Sequence, residues 1–226
     1  MLSIVSTPIG NLGDITLRAV ETLKSCDAVI CEDTRVAGKL LTLLGLPKKE
    51  LISYHAFNEH QKLLSLISRL KSHEHLALIS DAGTPGISDP GYLLIAKAHE
   101  EGIKVEVIPG PSAFLAALSI SGLPIHHFVF LGFLPLKKGR RTLLESLRTE
   151  ERTVVFYESP HRIVKTLTEL SEILGSEPER PIVLCRELTK MHEEVITTAI
   201  GKLPEVASSL TIKGEFCVVL GYTSPR

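Results

Sequence analysis

LALISDAGTPGISDPG, residues 76–91, is the stretch whose reading decides the fold. It opens with an apolar run, LALIS (76–80), too short for a buried helix and right for a buried strand. SDAGTPGISDPG (80–91) then packs Gly83, Pro85, Gly86, Pro90 and Gly91 together. A tight hairpin needs only about two to five residues, so this is a shaped loop rather than a mere reversal of the chain. A helical pattern follows at about 92–101. Strand, shaped loop and helix form the repeating unit of an open α/β sheet, in which ligands bind where strands end.

Moving outward, further strands are expected at 2–6 (LSIVS), 27–31 (DAVIC) and 104–108 (KVEVI), with helices at about 16–25, 34–44 and 60–71. In the last helix Leu63, Leu66, Ile67 and Leu70 share one face, and basic residues take the other. The alternation predicts a mainly parallel sheet in the first half. The second half offers strands at 127–131, 153–157, 181–185, 193–199 and 215–221, and helices near 138–149, 161–174 and 202–210. Two of those strands are joined by a short polar link, so a mixed sheet is expected. The reading is two α/β domains, 1–115 and 116–226.

Composition excludes several classes. The 226 residues carry 25 Lys plus Arg against 26 Asp plus Glu, so no global field advertises a polyanionic partner. Nucleic-acid binding would need a local patch. No apolar stretch approaches a membrane span of about 18 residues, and MLSIVSTPIG has no basic leader, so a cytoplasmic protein is expected. Cys26, Cys31, Cys185 and Cys217 show no CxxC spacing, which argues against zinc and for reduced thiols. P-loop, GxGxxG, GxSxG and HExxH motifs are all missing.

Glycine and proline gather in two more places where strands end, TPIGNLGD (7–14) and PGPSA (109–113). Such loops let a backbone approach a ligand while holding one shape. Paired carboxylates and cations follow other strands: EDTR (32–35), YESPHR (157–162) and CRELTK (185–190). Local ion pairs are the plain alternative for each. In LKKGRR (136–141), Lys137, Lys138, Arg140 and Arg141 surround Gly139, after the apolar GFLP (132–135). A solvated helix start is the plain alternative; on a nearly neutral chain, the cluster reads as a loop that contacts phosphates.

Taken in order, STPIGNLGDITLRA, CEDTR, SDAGTPGISDPG, IPGPSA, GFLP, YESPHR, CRELTK and KGEF resemble one family over nearly the whole chain, about Ser6 to Gly221. It is the 16S ribosomal RNA (cytidine-2'-O)-methyltransferase family, within the tetrapyrrole methylase superfamily of class III S-adenosylmethionine (SAM) methyltransferases. The resemblance implies two α/β domains with SAM in the cleft between them, a homodimer, no metal, and 16S rRNA in the 30S subunit as substrate. Thr7, Pro8 and Gly10 correspond to the first cofactor loop, and Asp81, Ala82, Gly83 and Thr84 to the second. Ser112 and Ala113 match residues that face the adenosine. From the second domain Phe133, Leu134, Pro135 and Tyr157 are expected to line the cleft. Two departures stand out: the chain stops soon after KGEF, where relatives run on, and His192 replaces an aromatic residue.

For the implied reaction the enzyme must align oxygen, methyl and sulfur and remove the hydroxyl proton. Glu158, Glu187 and Asp33 are conceivable bases, although a basic neighbour lowers the pKa of each. Arg162 and Arg186 would contact a phosphate or the developing alkoxide. A precorrin-type methylase of the same fold and a noncatalytic ribosome-assembly factor are the competing readings. The basic loop disfavours the first, and the intact cofactor loops disfavour the second.

Overall fold

The computed structural model describes residues 1–222, which fall into two compact units: Met1–Ser112 and a second beginning at Ala113. The first unit runs β1 (Leu2–Val5), α1 (Leu17–Ser25), β2 (Ala28–Cys31), α2 (Thr34–Leu43), β3 (Glu50–Ser53), α3 (Glu59–Lys71), β4 (Leu76–Leu78), α4 (Tyr92–Glu100) and β5 (Val105–Ile108). The five strands form one sheet in the order β3-β2-β4-β1-β5, and every pairing is parallel. Strands buried on both faces are mostly apolar, hence LSIV, AVIC and LAL, in which the one polar residue, Ser3, has its hydroxyl bonded to His75 and Glu106.

Local chemistry starts the helices on one face. The Thr16 hydroxyl accepts the Ala19 N–H to cap α1, and the Asp33 carboxylate accepts the Arg35 N–H to cap α2. Ala19, Leu23, Ala37 and Leu41 of these helices pack on one face of the sheet. Leu66, Ile67 and Leu70 of α3 and Leu94 and Ala98 of α4 pack on the other. The crossovers through α1 and α2 therefore run one way across the sheet, and those through α3 and α4 run the other way. β1 and β4 lie side by side with their connections leaving in opposite directions. That is the topological switch point, where open α/β sheets bind ligands.

The second unit runs α5 (Ala113–Ile120), β6 (Phe128–Phe133), α6 (Arg140–Ser146), β7 (Thr153–Glu158), α7 (Ile163–Ile173), β8 (Pro181–Arg186), β9 (Glu194–Ala199), α8 (Leu203–Ser209) and β10 (Phe216–Leu220). Its sheet has the order β6-β7-β10-β8-β9. β6 and β7 are parallel, and the other neighbours are antiparallel, so the sheet is mixed. Phe156, Leu167, Leu170, Leu184 and Val218 sit in its core.

Two elements were not anticipated from sequence. β3 is an edge strand in which only Ile52 is buried, so it lacks the continuous apolar run of its neighbours. α5 (AFLAALSI) is apolar almost all round, and with no polar stripe it reads as a link between domains. Among the described residues no helix is long and apolar enough to cross a membrane.

Candidate functional site

The three Gly/Pro loops of the first unit follow β1, β4 and β5, the three adjacent strands around the switch point. They are tied to one another by short bonds. The Thr7 N–H donates to Gly83 O at 2.8 Å and the Gly83 N–H donates to Thr7 O at 3.1 Å, an isolated antiparallel bridge. The Thr7 hydroxyl donates to Ser80 O at 3.2 Å, the Ser6 and Thr84 hydroxyls meet at 2.9 Å, and the Thr84 hydroxyl reaches Pro111 O at 3.2 Å. Ser6, Thr7 and Ser80 are buried, so their hydroxyls serve the knot, while Pro8, Gly10, Asp81 and Ala82 remain partly or fully exposed.

Gly83 is where this arrangement requires glycine. Its φ is +82°, a left-handed conformation that side chains rarely adopt, so the backbone shape rather than lack of space sets the requirement. Thr7, Gly83 and Thr84 are thus brought together, with Ser112 and Ala113 directly following Pro111 along the chain.

Beside the knot the unit is acidic. A cavity of about 440 Å³ is lined by Glu32, Asp33, Thr34, Ser53, His55, Phe57 and Asp81, from loops after β2, β3 and β4. The Asp33 N–H donates to Asp81 Oδ1 at 3.2 Å. Burial, reinforced by Asp81 and Asp33, pushes the Glu32 carboxyl up, with His55 opposing. Burial and the Glu32 charge push Asp89 up to about 6. Glu32, His55 and Phe57 line this cavity and were not among the site residues expected from sequence, nor was Asp89, which feels the Glu32 charge. HAFN (55–58) follows the unanticipated strand β3, and only that strand's position reveals that His55 and Phe57 face EDTR.

This donor set suits SAM. The sulfonium and ammonium of the cofactor are cationic, and carboxylates at the mouth of a Gly/Pro-rich cradle attract them. Among the described residues no group of three or more His, Cys, Asp or Glu could hold a metal ion.

Each of the three expected bases is committed elsewhere. Asp33 pairs with Arg35, whose hydrogen bonds hold its carboxyl down at about 2. Glu187 is raised by burial but held below the usual range overall by Lys190 and the Glu215 N–H. Glu158 is 1% exposed, and its carboxylate is saturated by Ser159 N–H, Arg162 and Thr166. Enclosed by these donors, both of its oxygens face the protein interior rather than a substrate.

The basic cluster also needs correction. Arg140 is 5% exposed and donates to Glu169, Thr166 and Pro135 O, so it is an internal cation. Arg162 is spent on Glu158 and Leu134 O, and Arg186 on Glu194 and Lys213 O. Lys137, Lys138 and Arg141 are exposed, and Arg141 pairs with Glu145 one helical turn on. The Leu134 side chain is 2% exposed and packs into the core of the second unit. Phe133 is 56% exposed and lies against Tyr157 at 5.4 Å between ring centroids. The Tyr157 hydroxyl accepts the Phe114 N–H at 3.3 Å.

Residues 1–204 match the family described as Tetrapyrrole (Corrin/Porphyrin) Methylases. A Ribosomal RNA small subunit methyltransferase I of Synechocystis sp. is 48% identical over 100% of this chain and 80% of its own length. A protein of the same name from Thermotoga maritima is 45% identical over 97% of each chain. Among solved structures, the uroporphyrin-III C-methyl transferase of Thermus thermophilus complexed with S-adenyl homocysteine shares the fold, with a TM-score of 0.66. It is 22% identical over 97% of this chain and 96% of that one. The chain belongs to the tetrapyrrole methylases, a family of SAM-dependent methyltransferases, and within it to the ribosomal RNA small subunit methyltransferase I branch.

Proposed function

We propose that the chain methylates the ribose 2'-hydroxyl of a cytidine in 16S rRNA, within the decoding region of the 30S subunit. It would do so in the cytoplasm and as a homodimer. The observation that carries this reading is the knot of loops after β1, β4 and β5, a cradle with an acidic mouth in a chain of this family. Thr7, Pro8, Gly10, Asp81, Ala82, Gly83, Thr84 and Ser112 would hold SAM from the first unit. Ala113, Phe133, Pro135 and Tyr157 would do so from the second.

The cofactor supplies a methyl group on a good leaving group. The protein supplies placement, because a methyl transfer needs acceptor, methyl and sulfur in line. Loops already fixed by the Thr7–Gly83 bridge lose little entropy in providing that alignment. A 2'-hydroxyl is a weak nucleophile, so its proton must be taken up as the bond forms. Burial raises the Glu32 and Asp89 carboxyls, Asp89 to about 6, which makes both stronger bases than Asp33 and Glu187, whose carboxyls are held low. Lys137, Lys138 and Arg141 would contact the RNA backbone.

Radiolabelled SAM incubated with 30S subunits lacking this modification tests the reading. Label mapped by nuclease digestion to the 2'-oxygen of one cytidine is expected. Label on a base, or none while SAM still binds, would overturn it in favour of another acceptor, a small tetrapyrrole first.

A further inference from the structure

At the end of β7, the Glu158 carboxylate lies between two arginines with its side chain fully buried. Its Oε1 accepts from Ser159 N–H at 2.8 Å and pairs with Arg162 Nη2 at 2.8 Å. Its Oε2 accepts from the Thr166 hydroxyl at 2.7 Å and lies 3.6 Å from Arg140 Nη1. The second carboxylate of the group, Glu169, takes Arg140 Nε at 2.8 Å. Buried ion pairs are poor sources of stability, because desolvation offsets most of their attraction. What this one holds is therefore more informative than what it contributes.

Both guanidiniums end on the same piece of main chain. Arg162 Nη1 donates to Leu134 O at 3.0 Å, and Arg140 Nη1 donates to Pro135 O at 3.2 Å. These carbonyls belong to the loop that leaves β6. The loop begins where the β6–β7 register slips, between Phe130 and Phe133, and ends at Gly139, whose φ of +78° turns the chain into α6. The Leu134 side chain anchors it in the core, while Leu136, Lys137 and Lys138 point to solvent. Apolar packing could fill the same volume, but it could not grip two carbonyls. Two lysines on a gripped loop reach phosphates at a lower ordering cost than two on a free one.

We propose that Glu158 is a positioning residue for RNA capture: it holds Arg140 and Arg162 on the Leu134 and Pro135 carbonyls and so fixes the loop that presents Lys137 and Lys138 to the rRNA backbone. This assignment rests on the rRNA reading above. It replaces the role of base expected for Glu158 with one exerted through the loop.

The test measures the affinity of the full-length protein for 30S subunits across a salt series, by filter binding, with thermal melting alongside. Four proteins are compared: wild type, Glu158→Gln, Lys137→Ala/Lys138→Ala, and the triple variant. Glu158→Gln should weaken binding by about tenfold at moderate salt and flatten the salt slope as the lysine pair does. In the triple variant Glu158→Gln should add no further loss. An unchanged salt slope, or the same loss with and without the lysines, would overturn the proposal. If Glu158→Gln gives no cooperative melt, Arg162→Lys carries the test under the same criterion. It keeps a charge beside Glu158 but shortens the reach to Leu134 O. Wild-type protein that binds no 30S subunits would instead overturn the rRNA reading, and this proposal with it.

Discussion

Around Thr7 and Gly83 the first unit ties its loops with backbone and hydroxyl hydrogen bonds, whereas around Glu158 the second unit ties its loop with buried ions. The two devices answer to different stresses. A knot of neutral bonds ignores salt and pH but depends on backbone shape, so it fails when a side chain enters where only glycine fits. An ion clamp tolerates small changes of shape but not the loss of one member, because a buried charge is then left alone.

The largest effect expected from this contrast is on stability. Glu158→Gln should lower unfolding free energy by about 3–5 kcal/mol, the usual cost of stripping one partner from a buried pair, as read by urea titration. A loss well under 1 kcal/mol would show that the clamp is wetter than its geometry indicates.

Next comes Gly83→Val, which forces a β-branched residue to φ +82°. Strain of order 1–3 kcal/mol should open the Thr7–Gly83 bridge and cut SAM affinity roughly tenfold or more by calorimetry. Near-normal affinity would separate this loop from the cofactor.

Lys137→Ala/Lys138→Ala acts on the surface that the clamp presents. It should reduce the slope of log affinity against log salt for 30S binding by about one to two, with stability unchanged. An unchanged slope would retire the basic loop as an RNA contact.

The last prediction concerns the acidic side of the knot. Folding raises the Asp89 carboxyl from its ordinary 3.8 to about 6, so the folded state holds a proton that the unfolded chain has already released. This residue therefore costs stability as pH rises from about 4 to about 6. Asp89→Asn should remove that decline, with melting midpoints diverging in its favour towards pH 7. Parallel pH profiles for the two proteins would show that Asp89 is not desolvated.

Most of the element order was legible before any coordinates, because apolar runs and Gly/Pro punctuation are local signals. LALIS marked β4, and SDAGTPGISDPG marked the loop that Thr7 binds. β3 was not legible: an edge strand with one buried residue carries too little hydrophobic contrast. With β3 went Ser53, His55 and Phe57, three of the seven residues that line the acidic cavity. The run LKKGRR showed its charge but not its partners. Arg140 has the same composition signature as Arg141, yet one is 5% exposed against Glu158 and Glu169 and the other lies in solvent.

By itself, then, the sequence determined the two α/β halves, the places where glycine and proline shape strand ends, and the family. These depend on residues a few positions apart. Only the tertiary structure decided which charges are tools and which are fastenings. Glu158 and Arg140, or Asp33 and Asp81, meet across strands and helices far apart in sequence, and a carboxylate's basicity is set by the water and cations around it rather than by its neighbours in the chain.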